Sequence, residues 1–239
     1  MSWGGDRRKM SRLLVHVEGE TEETFVNEVL CEHLYSKGFT QVSARIVGNA
    51  RLRHRRGGIR GWDSVKRDIV RHLRSDASVF STTMVDYYAL PQTGVGAWPG
   101  RAKAANMPTA EKAETVEAAL NADIEAEMGG TFFPNRFIPF VMIHEFEGLL
   151  FSDCSAFSQA IGRPELEPAF QQVRQEFETP EDINDSPVTA PSKRVLEVIP
   201  SYEKPLMGTL AIIGIGLRRI RQECPHFNNW LLRLESIPS

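Results

Sequence analysis

The sequence predicts an α/β fold with a mostly parallel central sheet of about four strands and flanking helices. Apolar, β-favouring segments alternate with segments of helical spacing, and several of these segments end at a carboxylate. Such alternation is typical of parallel sheets, whose carboxyl ends meet at one edge, where open α/β sheets bind ligands. The predicted strands cover residues 13–17, 42–47, 79–86 and 137–143.

The amino-acid composition indicates a folded globular chain and excludes several functional classes. With 41% hydrophobic and 25% charged residues over 239 positions, the chain can bury a core of its own without disulfide staples. The formal net charge of −3 excludes a general attraction to nucleic acid, so any such surface is local. The three cysteines lie far apart without a CxxC pair, which disfavours a disulfide framework or a zinc knuckle.

The sequence shows no membrane or secretion signal. No apolar run approaches the roughly 20 residues that span a bilayer. The basic start, residues 1–12, is not followed by a signal-type apolar segment, because Glu18 interrupts the run that begins at Leu13. We therefore expect no membrane partner and a cytoplasmic location, and the sequence leaves a homo-oligomer open.

The chain is organised around its first predicted strand, which runs into an acidic turn. Residues 13–17 are mostly apolar, Glu18 and Gly19 follow, and apolar positions then recur at helical spacing. Glu18 would leave the strand end while Glu22 lies in the first helical turn, so the two carboxylates can share a hard cation such as Mg²⁺. The alternative is structural, since acidic residues favour a helix N-terminus and Thr21 can cap it.

The following elements continue the alternation of helix and strand. A helix is predicted over 21–36, ahead of the second strand, and another over 63–74, ahead of the third. Residues 89–108 are rich in proline and glycine and predict a long loop, which a helix over 109–127 follows. This order is the one that a parallel sheet requires.

The most basic stretch of the chain lies between the second strand and the helix that follows it. Its arginines are interleaved with glycines, and arginine forks match phosphate oxygens. We predict that this segment contacts nucleic-acid backbone; the alternative is a charged loop and helix that are merely solvated. The predicted contact residues are Arg51, Arg53, Arg55, Arg56 and Arg60.

Two further predicted strands also lead into carboxylates. Residues 79–86 end at Asp86, and the strand over 137–143 is followed by Glu145 and Glu147. If the sheet is parallel, these carboxylates share one edge with those of the first strand and can hold one or two Mg²⁺ ions. A proline in the later strand indicates a sheet edge or a bulge.

The chain changes character in its last third. Residues 152–185 combine short helical patterns with an acidic, turn-rich run, which predicts a linker or insertion outside the core with solvated carboxylates, Glu181 among them. Helical spacing returns over 210–221. We therefore divide the chain into an α/β core over 1–151 and a mostly helical C-terminal extension over 152–239, which packs on the core and could complete the site.

The order Val17-Glu18-Gly19-x-Thr21-Glu22 after an apolar strand resembles the first motif of the Toprim domain. More narrowly, the chain is similar to Toprim nucleases of the overcoming-lysogenization-defect (OLD) type and to the DUF4276 group, and this similarity extends over most of its length. The second Toprim motif, an Asp-x-Asp at a strand end, matches only in part, because the sequence here reads Asp86-Tyr87-Tyr88. The missing second aspartate leaves the number of metal ions open.

This resemblance implies a Toprim-like fold and a nuclease that hydrolyses phosphodiester bonds of DNA or RNA with Mg²⁺ or Mn²⁺. Lys204 lies where the nuclease relatives carry a lysine and could stabilise charge on the scissile phosphate; the alternative is an exposed turn lysine. The implied catalytic residues are Glu18, Glu22, Asp86 and Lys204, and the implied metal ligands are Glu18, Glu22, Asp86, Glu145 and Glu147.

The resemblance also implies a partner protein. Small Toprim-like proteins of this kind look like components of anti-phage defence systems that work with a separate ABC-type ATPase. The sequence contains no GxxxxGK[ST] motif, so the ATPase would be another chain. Two alternatives stay open: the tyrosine at position 88 favours a catalytically inactive adaptor, and a nucleotide-processing phosphatase would use the same carboxylates on a small substrate.

Overall fold

The protein is built on one parallel sheet. A computed structural model describes residues 10–47, 59–183 and 189–238. The strands are β1 Ser11–Val17, β2 Phe39–Ile46, β3 Val79–Asp86, β4 Phe137–Ile138 and β5 Val141–Met142. They follow the order β2-β1-β3-β4, with β5 also on β3, and every pairing is parallel. The predicted α/β class with a parallel central sheet is confirmed.

Helices flank this sheet. The predicted first helix forms as two α-helical segments joined by a π-helical turn, Val26–Leu30, and wide turns of this kind occur often at functional sites. No helix in the described part of the chain is both long and apolar enough to cross a bilayer. The helices are α1 Glu20–Phe25, α2 Cys31–Ser36, α3 Trp62–Ser75, α4 Arg101–Ala104, α5 Thr109–Met128, α6 Cys154–Ala160, α7 Glu167–Arg174, α8 Pro191–Val198, α9 Thr209–Glu223 and α10 Pro225–Glu235.

The sheet is buried on both faces, as parallel sheets usually are. Leu13 and Val15 of β1 belong to a hydrophobic cluster that includes buried residues of α1, α2, α9 and α10. Val85 of β3 and Val141 of β5 belong to a second cluster that includes buried residues of α3 and α5. Neighbouring strand residues point to opposite faces, so this double cover leaves the strand ends as the part of the sheet that a ligand can reach.

The strand predicted over 137–143 is interrupted at Pro139, and two short strands, β4 and β5, pair with β3 instead. Proline cannot donate to the ladder, and threonine hydroxyls of β3 supply the missing contacts. The Thr82 hydroxyl donates to the Ile138 carbonyl, and the Phe140 amide donates to the Thr83 hydroxyl at 3.0 Å. The proline therefore marks a sheet edge, as predicted.

Residues 152–183 are part of the core, so the expectation of a linker outside it is wrong. Phe157 and Phe170 stack with ring centroids 4.2 Å apart and belong to the same cluster as β1. Glu181 is buried rather than solvated, because its carboxylate accepts the backbone amides of His226 and Phe227 at the start of α10. A carboxylate at a helix N-terminus is favourable there. The domain boundary at residue 151 stays a prediction.

A buried histidine ties the two central strands together. His16 of β1 has no exposed surface, and its Nδ1 atom lies 3.2 Å from the Thr82 carbonyl and 3.1 Å from the Ser81 hydroxyl. Burial lowers the pKa of His16 from 6.5 to about 3, because the charged ring would lose its hydration. The folded protein therefore holds this ring neutral.

We predict that His16 makes the fold sensitive to acid. The unfolded chain takes up a proton near pH 6.5 and the folded protein only near pH 3, so stability is lost as the pH falls through this window. Denaturant unfolding of the wild type and of His16→Leu, measured from pH 7.5 downward, should diverge by about 1.4 kcal/mol per pH unit below 6.5. Parallel pH profiles for the two proteins would contradict this assignment.

Candidate functional site

The turn after β1 places the first two carboxylates. Glu18 directly follows the strand, and Gly19, rather than the predicted Thr21, stands at the N-terminal cap of α1. The Gly19 amide donates to Oε2 of Glu22 at 3.0 Å, so one oxygen of Glu22 closes the helix N-terminus. Its other oxygen is buried and faces the sheet edge, where Lys204 contacts it. Glu22 therefore both stabilises the helix N-terminus and faces the sheet edge, so its structural and functional interpretations are compatible.

The last residue of β3 brings the third carboxylate to the same edge. Asp86 is buried, and its Oδ1 atom accepts the backbone amide of Phe146 at 2.8 Å. This bond ties the end of β3 to the segment that follows β5. The second carboxylate oxygen of Asp86 stays available to the side chains around it.

The two glutamates after β5 have different partners. Glu147 lies in a 3₁₀ turn, Phe146–Ser152, and its buried carboxylate reaches the sheet edge. Glu145 instead accepts the backbone amide of Ser192 at 2.9 Å, at the start of α8. Of this predicted pair, Glu147 joins the other carboxylates, while Glu145 holds a helix end.

A lysine from the C-terminal third closes the site. Lys204 begins a π-helical turn, Lys204–Gly208, that leads into α9, and its side chain is 30% exposed. Its Nζ atom lies 3.0 Å from Glu22, 3.2 Å from Glu147 and 3.5 Å from Asp86. Because Lys204 forms these three ion pairs, it is not the exposed turn lysine of the alternative interpretation. We call the carboxylates of Glu18, Glu22, Asp86 and Glu147 the acidic centre.

The acidic centre places four carboxyl groups around one ammonium. Burial raises the pKa of Glu18 to about 7, and the neighbouring Glu22 adds to this rise while Lys204 opposes it. Burial likewise raises the pKa of Asp86 and of Glu147, again against the ammonium. Burial alone would lower the pKa of Lys204, but the carboxylates raise it well above its ordinary value, so the ammonium is charged.

The site also contains a residue that sequence reasoning missed. Tyr202 has a buried hydroxyl with no hydrogen-bond partner in the described part of the chain, and burial together with the charge of Glu147 raises its pKa. A Cβ atom on Gly208 would lie 2.8 Å from this hydroxyl, so the glycine leaves room for the ring. No sequence pattern marks Tyr202, because its position depends on how the C-terminal third folds back.

The structure describes one of the five predicted nucleic-acid contact residues. Arg51, Arg53, Arg55 and Arg56 lie outside the described residues, and Arg60 lies within them. The Arg60 guanidinium donates to the Val47 carbonyl at 3.0 Å, to Ser64 at 3.2 Å and to Asp68 at 2.8 Å. It thereby links the end of β2 to α3, and its contact with nucleic acid stays a prediction.

The carboxylates do not yet surround a metal position. Among residues 10–47, 59–183 and 189–238, no group of three histidine, cysteine, aspartate or glutamate side chains is spaced to hold a metal ion. The donor set nevertheless fits a hard cation, because every member is a carboxylate. One buried oxygen of Glu18 has no hydrogen-bond partner in the described structure, which leaves it free to accept a ligand.

Comparison with known proteins assigns the family. The family model described as a domain of unknown function (DUF4276) matches residues 17–235. Among solved structures, the C-terminal region of the OLD protein of Xanthomonas campestris pv. campestris is similar, with a TM-score of 0.43 and 13% identity, over 95% of this chain and 96% of that chain. No curated protein matches the sequence. Since the family model spans the acidic centre and nearly the whole chain, the protein belongs to the DUF4276 family.

Proposed function

We propose that this protein is a Mg²⁺-dependent nuclease that hydrolyses phosphodiester bonds in DNA or RNA. The observation that carries the proposal is the meeting of four carboxylates and one lysine ammonium at the carboxyl edge of a parallel sheet. Ligands of open α/β sheets bind at this edge. The same residues are those that the resemblance to Toprim nucleases implies.

Glu18, Glu22, Asp86 and Glu147 would hold Mg²⁺ or Mn²⁺. Their oxygens are the ligands that hard divalent cations prefer, and three of these carboxylates lie buried around a single ammonium. When bound, such an ion activates water and neutralises charge on the phosphoryl oxygens. Glu145 lies two residues from Glu147 but is bonded to Ser192, so we do not assign it a ligand role.

The other residues of the site would bind the phosphate and hold the carboxylates in place. Lys204 contacts three of the carboxylates and can donate to a phosphate oxygen, where an ammonium stabilises developing negative charge. The Asp86–Phe146 bond fixes the loop that carries Glu147, so that strand end and loop keep a constant distance. Phe146 also lies beneath Lys204, with its ring centroid 5.4 Å from Nζ, and shields the ion pairs from water on that side.

The arginine-rich segment would seat the nucleic acid. Both of its flanks are anchored beside the acidic centre: the Val47 amide donates to the Val17 carbonyl at 2.8 Å, and the Arg60 amide donates to the Val47 carbonyl. Val17 directly precedes Glu18 in the sequence. The described residues on either side of the arginines therefore lie next to the site, which supports a role of the segment in holding the phosphate backbone.

We also infer that the protein works with a separate ABC-type ATPase in anti-phage defence. The sequence contains no GxxxxGK[ST] motif, and the resemblance to Toprim proteins supports such a partner. Co-purification with the product of an adjacent ATPase reading frame would test this inference. Failure of the two purified proteins to form a complex in a pull-down would contradict it.

A second candidate function is an adaptor that keeps the fold without catalysis. Two observations favour it: Tyr88 stands where the second aspartate is expected, and Lys204 already contacts three of the carboxylates. An adaptor would bind nucleic acid without cutting it and would bind no Mg²⁺ at millimolar concentration. A calorimetric Mg²⁺ titration beside a cleavage assay separates the two functions.

We predict that plasmid nicking requires Mg²⁺ and the acidic centre. Glu18→Gln and Asp86→Asn should each lower the nicking rate about 100-fold or more, because each removes a charge on which metal binding depends. Glu145→Gln is the matched control: its amide oxygen can still accept from Ser192, so the rate should stay within a few-fold of the wild type. Equally large decreases in all three variants would contradict the assignment.

We further predict that the arginine-rich segment sets the salt dependence of nucleic-acid binding. Replacing Arg53, Arg55 and Arg56 with serine should lower the slope of log K against log salt by about three, because each arginine that pairs with a phosphate displaces about one counterion. The control variant replaces Arg163, Arg218 and Arg233, three exposed arginines elsewhere on the protein, with serine. It therefore removes the same charge. Equal slopes for the two triple variants would show that only the overall charge matters.

A further inference from the structure

The Lys204 ammonium stands where a bound cation would have to meet the acidic centre. Its Nζ atom contacts one oxygen each of Glu22, Asp86 and Glu147 at 3.0–3.5 Å. Mg²⁺ needs its ligand oxygens at about 2.0–2.1 Å, in a nearly octahedral arrangement. The three carboxylate oxygens that surround the ammonium would therefore have to move closer together to bind the smaller ion, which they cannot do while the ammonium lies between them, and this accounts for the lack of a ready metal position in the described structure.

We propose that Lys204 is a tethered counter-ion that competes with the divalent cation for the acidic centre. Without metal, its ammonium lies among the carboxylates; when metal binds, the ammonium leaves them. This inference rests on the proposed metal site. The two cations exclude each other because they need the same oxygens and because their positive charges repel at this distance.

The structure shows which partner can move. Glu22 is held by the Gly19 amide and Asp86 by the Phe146 amide, and both carboxylates are buried. Lys204 is 30% exposed and belongs to a short π-helical turn. Its flexible stem can swing toward solvent without breaking a backbone bond, whereas turning either carboxylate away from the centre would leave its backbone amide unpaired.

Because Lys204 leaves the carboxylates when metal binds, metal binding increases the capacity of the site to bind an anion. In the metal-free protein, the ammonium is engaged by three carboxylates and has little capacity for a further anion. Once the metal takes those oxygens, the ammonium stays tethered beside them and can donate to a phosphate oxygen. The metal-loaded protein would thus gain a phosphate contact that the metal-free protein lacks.

The competition makes a quantitative prediction about metal affinity. Lys204→Met keeps the length of the side chain but removes its charge, so the metal no longer has to displace an ammonium. Titration calorimetry with MnCl₂ alone should show a Kd lower by about tenfold or more, the factor expected if a tenth of the wild-type molecules have an open centre. Lys103→Met removes an exposed lysine elsewhere and should bind as the wild type does.

Thermal unfolding supplies a second readout without catalysis. The metal-free Lys204→Met protein should melt below the wild type, because buried carboxylates lose their counter-ion. Mn²⁺ should then raise its melting temperature more than it raises that of the wild type. Equal or weaker Mn²⁺ binding by Lys204→Met, with clear binding by the wild type, overturns the competition and leaves the proposed nuclease intact. No binding by any of the proteins overturns both.

If Lys204→Met does not fold, an experiment on the wild type alone can test whether Lys204 leaves the carboxylates when metal binds. Reductive methylation of lysine amines, read by peptide mass spectrometry, reports how accessible each amine is. Adding Mn²⁺ should raise the labelling of Lys204 several-fold, while the exposed Lys103 serves as the internal reference and should not change. Unchanged labelling of Lys204 at saturating Mn²⁺ overturns the proposal.

Discussion

The structure depends on the interaction between the four carboxylates of the acidic centre and one ammonium. Glu22, Asp86 and Glu147 would be costly to bury as carboxylates without a cation, and the Lys204 ammonium contacts all three. A fold that served stability alone would gain by replacing such a cluster with apolar residues. Its position at the ligand-binding edge of a parallel sheet is what favours a functional role.

The residues of this site come from segments that are far apart along the chain. The carboxylates come from the ends of β1 and β3 and from the turn after β5, while Lys204 comes from the turn before α9. The C-terminal third packs on the same hydrophobic cluster as β1, which places the lysine against the strand ends. The site and the core are therefore parts of one packing arrangement, so a change in the C-terminal third can reach the site without touching a carboxylate.

Sequence patterns predicted what depends on local chemistry. An apolar strand that ends at an acid is a local signal, so the sheet, its parallel order and the edge position of Glu18 and Asp86 followed from the residues. What the sequence did not predict depends on contacts between distant segments. Examples are Glu145, which pairs with Ser192, and Glu181, which holds the start of α10. Tyr202 was missed for the same reason, since only tertiary packing brings its hydroxyl to the site.

The central claim is that these carboxylates form a single site for a divalent cation. The most direct measurement is a crystal structure of the protein soaked in MnCl₂, with anomalous scattering collected to locate manganese. We expect anomalous density bound by Glu18, Glu22, Asp86 or Glu147, with the Lys204 side chain turned away from its three present partners. Manganese bound only elsewhere, or an acidic centre that keeps its lysine and excludes the ion at saturating concentration, would contradict the claim.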